Sequence, residues 1–415
     1  MDIILGAGIT GLSYALYSGS DDWLILEREP EAGGYCRTTR RNGFVWDYSG
    51  HFFHFRDDAI KNMILSGLGD DVASVVKHTR IRYGDTLVDY PFQKNIHQLP
   101  KDELIECLYD LFSRSAGTGT GFRDMLVEKF GKSIAEKFLI PYNEKLYACD
   151  LNTLDRDAMG RFFPYAEPEE IVRNFKSGSN ASYNDTFIYP RQGAAEYVRS
   201  ILGRLDASKI RCGASVAAIS PAERTVTLTS GERLRYDRLI STVPFPQLLD
   251  MAGIDYDRSI YTWNQVLVFN LGFDRKGADT FDHWLYFPDK KYCFYRVGFY
   301  DNILSQERMS LYVELGFDSD AVIEPREWLD RVLCDLKSAG IVSAEQHLVD
   351  SQSIIMNPAY VHINSRSTAD VEARKRLLAD SGIYSIGRYG SWCYCSIEDN
   401  IIEAKSLAGQ LNTRQ

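Results

Sequence analysis

Long apolar stretches are missing from this sequence. No run reaches the roughly 18 consecutive apolar residues that a membrane-spanning helix requires, so no membrane insertion is expected. Positive charge is also in deficit: 47 Lys and Arg stand against 57 Asp and Glu, a formal net charge of -10. That balance argues against a nucleic-acid binder and against adhesion to anionic lipid, and leaves any anionic ligand to a few local arginines. The eight cysteines lack the paired spacing of a zinc site, so no metal is expected, and reduced thiols in a cytoplasm are the reading they favour. Cys393-Tyr-Cys395 comes nearest to a pair, and alternation there predicts a strand carrying both thiols on one face. No internal repeat or low-complexity tract is evident, and with 45% hydrophobic residues the chain is too apolar to be disordered and long enough for two or three domains. An apolar strand begins at its second residue, which leaves no room for a leader and predicts a cytoplasmic protein.

What is there begins at once. Asp2-Ile-Ile-Leu-Gly6-Ala-Gly8-Ile-Thr-Gly11 is a strand running into GxGxxG, and Leu24-Ile-Leu-Glu27 is a second strand ending in an acid. A dinucleotide site needs this order: Gly6 for the tight turn, Gly8 for close approach of the pyrophosphate, Gly11 for helix against strand, and Glu27 for a ribose hydroxyl. The next segment, Gly33-Gly34-Tyr-Cys-Arg37 followed by Gly43 to His51, resembles the glycine-pair and arginine loop of the FAD-dependent amine oxidase and sugar mutase superfamily. FAD is therefore the expected cofactor.

The fold class expected is α/β (α+β): a Rossmann-like FAD-binding domain with a helical insertion and an antiparallel substrate-side sheet. Residues 1–75, 185–250 and 380–415 are assigned to the FAD domain, 98–175 to the helical domain, and 76–97 with 251–379 to the sheet domain. Ile81 to Val88 reads as a hairpin turning at Gly84-Asp85. Leu104, Cys107, Leu108 and Leu111 recur at helical spacing. Short strands from Ile210 to Leu234 and the apolar Leu239 to Val243 return the chain to the nucleotide domain, where Val216 is expected against the cofactor. Val266 to Asn270 and Leu311 to Leu315 supply strands of the second sheet.

Four further blocks resemble the UDP-galactopyranose mutase family, most closely its eukaryotic branch: Tyr90-Pro-Phe-Gln93, Phe138-Leu-Ile-Pro-Tyr-Asn143-Glu-Lys-Leu-Tyr147, Trp284-Leu-Tyr286 with Phe294-Tyr-Arg296, and Gly387-Arg388 through Trp392-Cys-Tyr394. The resemblance implies a pyranose/furanose mutase in which N5 of reduced FAD displaces the nucleotide from the anomeric carbon of a UDP-linked sugar, with no net redox change. The hard chemistry would belong to the cofactor, which accounts for the lack of a Ser/His/Asp triad or paired carboxylates. Carried over by motif, Arg296 would clamp the leaving diphosphate with its planar fork. Phe138, Asn143 and Gln93 would contact the nucleobase, and Tyr147 and Trp284 belong to the same substrate set. Tyr286, Tyr360 and Tyr394 would close over the diphosphate, since a hydroxyl binds an anion without adding charge. His51 would gate the flavin, and Arg388 and Asp399 would lie along it. The family's second phosphate arginine falls, without a gap, at Phe162; Arg161 is adjacent and would serve only through a shift of one residue. The implied partners are a nucleotide sugar and NAD(P)H or another external reductant, and a homo-oligomer is left open. Two alternatives stay beside this reading: an amine oxidase or desaturase on the same FAD domain, and a non-catalytic sugar-nucleotide binding protein.

Overall fold

The computed structural model describes residues 1–114, 119–177 and 185–413. Its nucleotide-binding half is built on a five-stranded sheet in the order Ile383–Ser385, Arg238–Ser241, Asp2–Leu5, Trp23–Leu26, Ile210–Arg211. Every pairing in it is parallel. A parallel sheet is covered on both faces, so its strands read as unbroken apolar runs. Here Ile4, Ile25 and Ile240 pack on the side of the helices Ile9–Tyr17 and Ile397–Asn412. Ile3, Leu5, Leu24, Leu26 and Leu239 face the opposite way, towards Val226 and Leu228 of a three-stranded sheet spanning residues 216–235.

The second sheet has seven strands, in the order Leu348–Met356, Asn264–Phe273, Ser310–Asp318, Arg296–Phe299, Trp284–Tyr286, Thr79–Tyr83, Thr86–Asp89. The hairpin expected at Gly84-Asp85 forms the edge of this sheet beside Trp284–Tyr286, and Gly84 takes the left-handed conformation the turn needs (φ +56°). The sheet is antiparallel except where Trp284–Tyr286 runs parallel to Thr79–Tyr83. Because side chains alternate across a strand, one face carries Leu267, Phe269, Leu285, Val297, Leu311 and Val313 against the helix Pro325–Ser338. The other face carries Val266, Val268, Trp284, Tyr286 and Tyr312 against the helical insertion.

That insertion consists of Lys101–Ser113, Phe122–Ile134, a π-helical turn Ala135–Leu139, and Ile140–Tyr147. The wide turn has a local cause. Pro141 has no N–H to donate four residues back, so the helix loosens just before it. One expectation fails: Cys393 and Cys395 lie in no strand but in the loop between Gly387–Gly390 and Ile397–Asn412. The Cys393 amide bonds back to the Arg388 carbonyl, and Trp392 has positive φ, which breaks the extended alternation. Among the described residues no helix is long and apolar enough to cross a membrane.

Candidate active site

A cavity of about 1070 Å³ runs from the carboxyl ends of the parallel strands to the inner face of the seven-stranded sheet. It exceeds the roughly 300–1,000 Å³ of ordinary ligand pockets, enough for a dinucleotide with a second molecule beside it.

Its nucleotide end is lined by Gly6, Gly8, Gly33, Gly34, Glu27, Arg37 and Val216. The helix starting at Ile9 has Gly8 as its N-cap with no side-chain cap bond, so its first amides and positive dipole end are left for an anion. A Cβ on Gly34 would come within 3.4 Å of the Gly8 Cα, so the two backbones form a slot that side chains would fill. Gly11 stands outside the wall; its Cβ would strike the Gly6 carbonyl at 2.1 Å, which makes it the helix-to-strand contact expected of it. The Glu27 carboxylate accepts the amides of Ala7 (2.7 Å) and Glu29 (2.9 Å) and so is fixed at the end of its strand. Arg37 is held by the Gly34 carbonyl and Glu29, over the Tyr48 ring.

Asp399 is a correction. It does not line the cavity: it closes the capping box of the last helix with Ser396 and pairs with Arg56 and Arg161. Asn400, one residue on, takes the place in the wall, its side-chain oxygen accepting from Thr10 (2.8 Å) and the Arg388 amide (2.9 Å).

At the sheet end, alternation sets a row across adjacent strands. Tyr286 is the register partner of Arg296, and Arg296 of Glu314. Glu314 is almost wholly buried (1% exposed) and takes Nε and Nη2 of Arg296 at 2.6 and 2.7 Å. It also accepts the Ser49 hydroxyl. The bidentate pair leaves Arg296 Nη1 without a hydrogen bond among the described residues. In the next row Gly298 stands opposite Tyr312, whose ring would lie 1.9 Å from any Cβ there. Arg388 is different. It lies 4.5 Å from the Tyr394 ring, 5.3 Å from that of Tyr360 and 5.9 Å from that of Tyr389, and its guanidinium donates to the carbonyls of Cys395 and Ala359, while its buried Nε has no partner among the described residues. No carboxylate pairs with it among the described residues.

His51 lines the middle of the cavity, with Nδ1 3.2 Å from the Ser49 carbonyl. Burial pulls its pKa down from 6.5 to about 4, so the ring is neutral near pH 7 and the Ser49 contact assigns the proton to Nδ1. Ser49 itself holds a positive φ of +94°, a conformation uncommon outside glycine.

Three expected nucleobase residues sit behind the wall rather than in it. The Phe138 ring is stacked between Phe92 and Tyr142, each 5.2 Å away, and Tyr142 faces the cavity. Asn143 donates to the Leu139 carbonyl and Gln93 to that of Pro164, and each leaves a buried side-chain oxygen unpartnered. Tyr147 is likewise core, 5.9 Å from Tyr360. These residues fall on the inward side of the π-helical segment and its neighbours, where packing claims apolar rings first. Trp284, Tyr286, Tyr360 and Tyr394 do line the cavity. Arg161 does not: it turns outward to Asp399, while Phe162 lines the wall edge-on to Tyr394 at 4.8 Å. Tyr90, Tyr142, Phe52 and Glu314 were not singled out from sequence. The two tyrosines stood inside the quoted blocks, and Glu314 stood at an alternate position between Val313 and Leu315, a charge on the face opposite the apolar one.

Residues 9–412 match the family described as flavin containing amine oxidoreductase. The solved structure of reduced UDP-galactopyranose mutase superposes with a TM-score of 0.92 at 23% identity, covering 100% of this chain and 96% of that one. Cyclohexylamine oxidase from Brevibacterium oxydans gives 0.71 at 13% identity (100% and 98% covered), and a CLA-producing fatty acid isomerase from P. acnes 0.66 at 14% (99% and 98%). One fold thus carries several reactions. The side-chain-free slot at Gly8 and Gly34, the uncapped helix end and the fixed Glu27 fit a dinucleotide, and with the match over nearly its whole length the chain belongs to the flavin-containing amine oxidoreductase family, with FAD as its cofactor.

Proposed function

We propose that this protein is a flavin-dependent pyranose/furanose mutase acting on a nucleotide-activated sugar, a UDP-linked one. The observation that carries this reading is Arg388: a half-buried guanidinium set among tyrosines in the cavity wall, with a buried, unpartnered Nε and, among the described residues, no carboxylate paired with it. A cation drawn even partly out of water without a counter-charge is costly. A diphosphate would supply the missing charge, whereas an amine substrate would add a second cation beside it. The likeness to the mutase structure supports the same choice.

Reduced FAD, when bound, supplies the nucleophile for the anomeric carbon. Arg388, which the resemblance places along the flavin, stands in the same wall as Tyr360 and Tyr394 and would serve the substrate side as well, holding the departing diphosphate with their hydroxyls. Arg296 adds its remaining nitrogen, Nη1, with its plane fixed by Glu314. Neutral His51, its proton on Nδ1, keeps Nε2 as a hydrogen-bond acceptor that can orient a sugar hydroxyl while the ring opens and closes. Tyr90, Tyr142, Phe52 and Trp284 exclude water from the same space. Phe162 in the wall, where the family has an arginine, makes the site less cationic and favours a sugar or nucleotide other than UDP-galactose.

Dithionite-reduced protein incubated with a panel of UDP-, GDP- and TDP-sugars, with pyranose and furanose products separated chromatographically, tests the proposal. Interconversion of at least one member is expected. A panel without any ring contraction or expansion, alongside oxidation of an amine by the oxidised protein, would move the assignment to an amine oxidase.

A further inference from the structure

The proposed reaction makes no use of Cys393 and Cys395, two thiols that bracket Tyr394. Cys395 lines the cavity, and its sulfur accepts from the Asn400 amide at 3.3 Å. Both thiols are free, they stand two residues apart in one loop, and their side chains interact with each other. Their loop is tied to Arg388 twice: the Cys393 amide bonds to the Arg388 carbonyl (3.0 Å), and Arg388 Nη1 bonds to the Cys395 carbonyl (3.3 Å). Tyr394, between them, stacks on Tyr360 at 5.9 Å. A shift of this short loop therefore moves a tyrosine and an arginine of the ligand site together.

We propose that Cys393 and Cys395 are a peroxide-sensitive thiol pair, and that their oxidation to a disulfide reshapes the Arg388 and Tyr394 wall so that anion binding weakens. The Cys393 sulfur attacks one oxygen of a peroxide, the O–O bond breaks, and the departing oxygen leaves as water with the thiol proton. The Cys395 sulfur then attacks the resulting sulfenic acid, the S–O bond breaks, and a second water leaves with the second proton. For hydrogen peroxide, two thiols lose two electrons, and the peroxide gains them as two waters. The S–S bond, at about 2.0 Å, is shorter than any non-bonded sulfur contact, so its formation pulls the two ends of the Cys393-Tyr394-Cys395 segment together and shifts Tyr394 between them. Reactivity follows thiolate character. The neighbouring Cys395 side chain, aided by Arg388 and Lys375 against burial and Glu403, holds the Cys393 thiol below its ordinary value, whereas burial pushes Cys36 and Cys107 up to about 12.

The test uses the full-length FAD-loaded protein, reduced and then treated with hydrogen peroxide. Peptide mass mapping is expected to find two hydrogens lost within the 393–395 segment, with the flavin absorbance shifted and UDP affinity lowered about tenfold, the equivalent of one hydrogen-bonding contact. Dithiothreitol should restore all three, and Cys393→Ser or Cys395→Ser should abolish them. A pair that stays reduced while the exposed Cys212 or Cys334 oxidises, or a mapped disulfide with flavin spectrum and UDP affinity unchanged, would overturn the proposal. If UDP binds neither form, the nucleotide reading fails, and the flavin spectrum still decides whether the thiol pair acts on the wall.

Discussion

Two arginines share one cavity and stand in opposite electrostatic circumstances. Arg296 enters from the seven-stranded sheet with its charge already answered by buried Glu314 through two hydrogen bonds. Arg388 enters from the nucleotide side and, among the described residues, its guanidinium meets ring faces and backbone carbonyls but no carboxylate. The first is built into the fold, and the second is left for a ligand. Ligand affinity should therefore depend more on Arg388, and folding more on Arg296, although both are cavity arginines.

The largest effect expected on that comparison is in stability. Arg296→Ala leaves the Glu314 carboxylate buried without its counter-charge, with only the Ser49 hydroxyl among its side-chain partners in the described residues, which costs about 3–5 kcal/mol. Urea denaturation should register that loss, and adding Glu314→Gln in the same chain should recover most of it. An Arg296→Ala protein of unchanged stability would mean that the pair is not the anchor its geometry implies. Next comes Arg388→Met, which should leave the ligand-free protein as stable as before or more so, because no counter-charge is orphaned. UDP affinity should fall by about 10- to 150-fold, the equivalent of a charge-assisted bond of roughly 1.5–3 kcal/mol. Calorimetric titration reads this directly, and equal losses in Arg296→Ala and Arg388→Met would erase the distinction between them.

His51 sharpens the comparison through pH. Its folded pKa of about 4 lies below the unfolded 6.5, so the stability from burying it neutral is fully present above pH 6.5 and is lost as pH falls towards 4. His51→Asn should flatten the acid side of the stability profile in that window, and an unaltered slope would show that the ring is not titrating in the buried site. The smallest effect belongs to Arg161→Ala. Its pair with Asp399 is partly exposed, so the change should stay within about 0.5 kcal/mol in stability and leave UDP affinity alone. A large loss of affinity would mean that Arg161 turns inward when ligand binds and would return UDP-galactose to first place.

The nucleotide end was legible because its signals are local. A glycine turn, a second strand and a terminal acid declare themselves within the first 27 residues, and Gly6, Gly8 and Glu27 stand where that order requires. The paired strands were also legible from alternation, at Gly84-Asp85 and through Leu311 to Leu315. What failed was the step from motif to side-chain direction. Phe138 is one ring too deep because the π-helical turn before Pro141 rotates it into the core and presents Tyr142. Asp399 is consumed by a capping box whose Ser396-x-x-Asp399 spacing was open to reading as a helix start. Glu314 reaches Arg296 only through pairing between strands, a contact that no single segment encodes.

The redox balance of turnover tests the central assignment most directly. FAD-loaded protein, reduced anaerobically with one equivalent of dithionite and given the sugar nucleotide that the panel selects, should form many equivalents of ring-isomerised product per flavin with no further reductant and the flavin still reduced at the end. Product that stops at one equivalent per flavin, or that appears only with stoichiometric uptake of oxygen or NAD(P)H, would contradict the mutase account and assign the cavity to an oxidoreductase.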